Sequence, residues 1–71
     1  MSSVRAQIFV NGDQRNVTAG MCVAELLLEL GLPLERVAVE LNRHIVRKRD
    51  WNSTIVPDGA QLEVVEFVGG G

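Results

Sequence analysis

The stretch Gln61-Leu62-Glu63-Val64-Val65-Glu66-Phe67 decides the fold. Strand periodicity puts Leu62 and Val64 on one face, and Val65 and Phe67 on the other. A strand with apolar residues on both faces reads as a central strand. Just before it, Pro57-Asp58-Gly59 is a turn. Further upstream Val37, Val39 and Leu41 alternate with Ala38, Glu40 and Asn42, which predicts another strand. Asn42-Arg43-His44 is its turn, and Ile45-Val46 a short strand beyond it. Residues 47–54 read as irregular, with Trp51 as their anchor.

The N-terminal half opens with alternation over residues 7–11, where Ile8 and Val10 share a face. Asn11-Gly12 is a strong hairpin signal, because both residues take positive φ at little cost. Residues 14–18 return as the second strand, with Val17 facing inward. Val23, Leu26, Leu27 and Leu30 then fall at i, i+3, i+4 and i+7, the stripe of an amphipathic helix. Gly31 suits its C′ position, and Pro33 prevents continuation. Cys22 and Glu25 have the spacing of a capping box, but sulfur is a weak acceptor where Ser or Thr would serve.

One helix must cover one face of a small sheet. The chain therefore reads as α+β: a ubiquitin-like β-grasp, with a mixed sheet of four to five strands and one main helix packed on one face. The last strand should lie in the middle, parallel to the first. Residues 1–67 form the β-grasp domain and residues 68–71 a flexible glycine tail. If the first and last strands are neighbours, Phe9, Val65 and Phe67 form one apolar patch away from the helix. A contiguous patch on a small protein marks a partner surface.

The chain has 71 residues, enough for one domain. It is 46% hydrophobic and 23% charged, as a globular chain is, with a formal charge of −2. That balance argues against a nucleic-acid partner. No apolar run reaches the roughly 18–20 residues of a membrane span. Residues 1–7 lack the order of a signal peptide. The single cysteine excludes an intrachain disulfide and suits a reducing compartment, so a cytoplasmic location is expected.

One His and no Tyr leave few acid–base groups for an enzyme. Cys22 reads as a buried structural thiol and His44 as a solvated loop residue, with no second ligand spaced for a metal. Arg43, Arg47, Lys48 and Arg49 read as a solvated basic face. What remains is the α-carboxylate of Gly71, preceded by Gly69 and Gly70. Glycine lacks Cβ and takes any backbone angle, so such a tail can thread a narrow channel. Residues 68–71, fully extended, reach roughly 13–14 Å. That is enough to deliver the carboxylate into a neighbouring protein, with Val68 at its base.

The segment Glu66-Phe67-Val68-Gly69-Gly70-Gly71 does not stand alone. With Ile8-Phe9-Val10-Asn11-Gly12, Ala19-Gly20 leading into Val23-Ala24-Glu25-Leu26-Leu27, Val39-Glu40-Leu41-Asn42, Ile45-Val46 ahead of Trp51, and Asp58-Gly59, it resembles the sulfur carrier proteins of thiamine biosynthesis, the ThiS family. The resemblance implies that Gly71 is adenylated by an E1-like, ThiF-type adenylyltransferase using ATP, with no stably bound cofactor of its own. Sulfur from a cysteine desulfurase or sulfurtransferase then yields a terminal thiocarboxylate, which donates sulfur to a ThiG-type thiazole synthase. Gly70 and Gly69 are its tail partners. The chain departs from many relatives at Arg47-Lys48, where Pro then Arg is common, and at Cys22, where Thr is common. A molybdopterin synthase small subunit and a ubiquitin-like binding module without sulfur chemistry are the alternatives.

Overall fold

The computed structural model describes residues 4–68. Its strands are β1 (Arg5–Val10), β2 (Asp13–Thr18), β3 (Val37–Leu41), β4 (His44–Val46) and β5 (Gln61–Glu66), with helix α1 at Val23–Glu29. Short 3₁₀ turns at Leu34–Arg36 and Lys48–Asp50 complete it. The sheet order is β2-β1-β5-β3-β4. β5 runs parallel to β1 and antiparallel to β3, so it is the central strand that its sequence predicts. This is the β-grasp arrangement.

Local chemistry explains the element ends. Asn11 and Gly12 both have positive φ, at 51° and 87°, which is the backbone of a two-residue hairpin turn closing Val10 onto Asp13. Gly31 has φ 73°. Its N–H donates to the Leu28 carbonyl and the Leu32 N–H to the Leu27 carbonyl, each at 3.0 Å, the paired bonds of a Schellman motif. A Cβ at Gly31 would meet no neighbour, so only the left-handed backbone opposes a side chain there. Gly31→Ala should therefore cost about 1–2 kcal/mol without changing the fold, read as a lower denaturation midpoint with an unaltered far-UV spectrum. An unchanged midpoint would remove the cap from the account.

At the helix start, the Cys22 N–H donates to Glu25 Oε1 at 3.1 Å. The next two amides do not depend on the thiol. The Val23 N–H reaches the Thr54 carbonyl at 2.9 Å, and the Ala24 N–H reaches the Trp51 carbonyl at 3.2 Å. Two of the four donors orphaned at any helix N-terminus are thus taken by loop carbonyls, which makes a weak side-chain cap tolerable.

The core lies between α1 and one sheet face. Val23, Leu26 and Leu27 of α1 are fully buried against Ile8, Val10, Val39 and Leu62. Burying each such side chain contributes about 1.5–3 kcal/mol. Trp51, Val56 and Ala60 close the layer from the long β4–β5 connection. Trp51 anchors that connection: its indole N–H donates to the Val46 carbonyl at 3.0 Å while the ring is buried. Cys22 is buried in the same region, so it is a packing residue. Among the described residues no helix is long and apolar enough to cross a membrane.

Candidate functional site

β5 carries the chain from the core to the surface. Leu62 is buried, Val64 is half-buried, and from Val65 onward every described residue is exposed. The last tie is the Phe67 N–H, which donates to the Arg36 carbonyl at 2.7 Å. Val68 is 93% exposed. The Arg36–Glu66 ion pair at the same place is 4.0 Å long and solvent-facing, so it contributes little. Gly69, Gly70 and Gly71, which the sequence singles out, lie outside the described residues.

Side chains stand in for peptide groups on both sides of β5. β1 ends at Val10, but the Asn11 side chain continues its ladder. Asn11 Oδ1 accepts from the Val64 N–H at 2.8 Å, and Asn11 Nδ2 donates to the Val64 carbonyl at 3.1 Å. On the other edge Asn42 Oδ1 accepts from the Gln61 N–H at 2.9 Å. At the β5 entry, Asp58 Oδ1 accepts from the Gln7 N–H at 2.7 Å. Asn11, Asn42 and Asp58 read in the sequence only as turn formers. Turn chemistry predicts local bonds to backbone for Asn and Asp, whereas these reach 19 to 53 residues away, so no signal in the sequence announced them.

The register corrects the expected patch. Phe9 stands opposite Gln61, four residues before Val65 along β5, or about 13 Å. Phe9 is also only half-exposed. It does not join Val65 and Phe67, which are 59% and 57% exposed. The apolar neighbour of Val65 is Ile45 instead, 76% exposed on β4, while Phe67 lies further along the chain and does not line the same depression. Ala38 pairs with Val65, while Glu40 pairs with both Glu63 and Ile45. Alternation puts these side chains on the face away from α1. They line a shallow depression of about 310 Å³.

His44 and the basic residues lie on and beside β4, next to Ile45. Ring atom Nδ1 of exposed His44 lies 3.0 Å from the Asn42 carbonyl. Arg43, Arg47, Lys48 and Arg49 are all exposed around β4 and the turn that follows. No group of three or more His, Cys, Asp or Glu among the described residues could hold a metal ion.

Residues 8–71 match the model of the ThiS family. The sulfur carrier protein ThiS of Escherichia coli (strain K12) is 34% identical over 65 residues, covering 92% of this chain and 98% of that one. A thiazole synthase of Paramagnetospirillum magneticum is 46% identical over 65 residues, covering 92% of this chain but 20% of that protein. The chain thus spans about a fifth of the length of the curated thiazole synthases that it matches. The crystal structure of the thiamine biosynthesis protein ThiS from Geobacter metallireducens superposes with a TM-score of 0.80 at 35% identity, covering 92% of this chain and 99% of that one. With the match running from the first strand to the last glycine, and the fold shared with a solved relative, the chain belongs to the ThiS family.

Proposed function

We propose that this chain is a sulfur carrier of thiamine biosynthesis and that Gly71 is its reactive residue. The observation that carries the reading is the family match extending through Gly71, on a fold whose central strand emerges into solvent at Val65. A glycine carboxylate on such a tail is a poor acyl donor until activated. A ThiF-type adenylyltransferase activates it with ATP. The Gly71 carboxylate oxygen attacks the α-phosphorus, pyrophosphate leaves, and an acyl adenylate forms. A persulfide sulfur on a cysteine desulfurase or sulfurtransferase then displaces AMP to give an acyl disulfide, and a thiol cleaves its S–S bond, releasing the thiocarboxylate and forming a disulfide with the sulfur donor. A ThiG-type thiazole synthase is the acceptor, and the likeness to curated thiazole synthases favours it over molybdopterin synthase.

Gly70 and Gly69 give the carboxylate a slim approach into the partner's active site. Phe67, Val68 and Val65 lie at the base of the tail and meet the partner's rim, while Phe9 sits apart. The chain itself supplies no catalytic side chain and binds no resident cofactor. Incubation with a ThiF-type enzyme, ATP and sulfide should replace one terminal oxygen by sulfur, seen by intact-mass spectrometry. An unchanged mass with a demonstrably active enzyme present sinks the proposal.

A further inference from the structure

The two neighbours of β5 hold it unequally. Pairing with β3 runs to Glu66, and the Phe67 N–H bond to the Arg36 carbonyl extends it by one residue. Pairing with β1 stops at Leu62, whose carbonyl accepts from the Asn11 N–H at 2.8 Å. There the chain turns out of the sheet, because Asn11 takes positive φ and starts the hairpin turn. Peptide groups along a strand face its two neighbours alternately, so the N–H and C=O of Val64 point to where β1 would have continued. The Asn11 carboxamide fills that place. Its Oδ1 and Nδ2 are an acceptor and a donor, as a peptide group has, and they meet the N–H and the carbonyl of Val64 at 2.8 and 3.1 Å.

We propose that Asn11 is a positioning residue for the sulfur-loading reaction: its side chain clamps β5 at Val64 and so fixes the direction in which the tail leaves the sheet. The proposal rests on the carrier reading and deepens it. A strand held along one edge pivots about that edge, whereas one held on both edges does not. Among the described residues the Asn11 bonds are the last hold on the β1 side, and the Phe67 bond is the last on the β3 side. Val68 lies four residues beyond Val64, about 13 Å of strand, so a pivot of about 10° at Val64 moves the root of the tail by about 2 Å. A reacting group misplaced by even about 1 Å can lose 10²-fold in rate. The glycines that follow absorb part of the displacement, so the loss expected here is about tenfold.

Two variants remove the clamp. Asn11→Gly keeps the positive φ and loses both side-chain bonds, while Asn11→Asp keeps the shape but sets an oxygen, in place of the donor, against the Val64 carbonyl. Asn42→Gly is the control. Asn42 also has positive φ, at 50°, and its Oδ1 accepts from the Gln61 N–H, so the control removes a side-chain bond to β5 at the strand's entry instead of near its exit. With a ThiF-type enzyme, ATP and sulfide, kcat for thiocarboxylate formation should fall about tenfold in each Asn11 variant, with KM within about twofold of the wild type. Asn42→Gly should leave both constants unchanged. Hydrogen exchange at the Val64 amide should quicken in Asn11→Gly but not in Asn42→Gly. An unaltered kcat in either Asn11 variant overturns the proposal, as does an equal fall in Asn42→Gly, which would make the loss one of general stability. An unaltered Val64 exchange rate overturns the clamp itself. If the wild type gains no sulfur while Val64 exchange responds as expected, the carrier reading fails and takes the positioning role with it, but the clamp stands.

Discussion

Deleting Gly71 leaves a folded domain that gains no sulfur. The shortened tail still ends in a glycine carboxylate, so the chemistry of the group is unchanged and only its position differs. One residue of extended chain retracts it by roughly 3.3–3.6 Å. Misplacing a reacting group by even about 1 Å can cost 10²-fold. Thiocarboxylate formation should therefore fall by more than about 100-fold at equal enzyme, ATP and sulfide. Appending one alanine after Gly71 displaces the carboxylate the other way, and adds a Cβ at the reacting residue, so it should fail as well. The circular-dichroism spectrum and melting midpoint should match the wild type for both, because no described core residue lies beyond Leu62 except the half-buried Val64. Conversion at the wild-type rate would show that Gly71 is not the activated residue. A lost spectrum would make the tail structural.

Trp51→Ala should remove a large part of the domain's stability and lower its urea midpoint sharply. The ring is 4% exposed and packs in the main core. Large-to-small changes of this kind cost about 3–5 kcal/mol. Stability of about 0.05–0.15 kcal/mol per residue gives a 71-residue domain about 4–10 kcal/mol in total. The substitution also frees the 47–54 segment, whose carbonyls serve the first turn of α1, so the helix should loosen with it. Trp51→Phe separates the two contributions. It keeps most of the packing but leaves the Val46 carbonyl without its indole donor, which should cost about 1 kcal/mol plus the lost ring volume. Urea denaturation followed by circular dichroism measures both. A midpoint for Trp51→Ala close to the wild type would mean that the β4–β5 connection holds without its anchor.

Much of this architecture was legible in the residues themselves. Period-two alternation placed the strands, and the Val23/Leu26/Leu27/Leu30 stripe placed the helix. Asn11-Gly12 and Gly31 marked their ends through positive φ. The apolar residues at Leu62 and Val64 joined to Val65 and Phe67 marked β5 as central, and it is central. Yet only the first pair is covered; Val65 and Phe67 face solvent. Alternation reports which side chains share a face, not where along the neighbouring strand they fall. Register supplies that, and it depends on pairing across fifty-odd residues of sequence, here Phe9 with Gln61. For the same reason Ile45 was read as a short-strand residue and not as part of an exposed surface. The 3₁₀ turns at Leu34–Arg36 and Lys48–Asp50 were also missed, since single turns carry no periodicity to detect.

The place of β5 in the sheet has a consequence in time. Among the described elements it is the last to be synthesised, yet it is the only strand that touches both hairpins. Until it arrives, β1–β2 and β3–β4 are separate two-stranded ribbons, and such ribbons are marginal in water by themselves. Joining them requires contacts between residues far apart in sequence, which is the slow kind of folding. The same six residues that complete the sheet also carry the glycines that follow them. A nascent chain thus acquires its stable fold only when this last strand arrives, so a copy that stops before Gln61 is two ribbons without a common sheet.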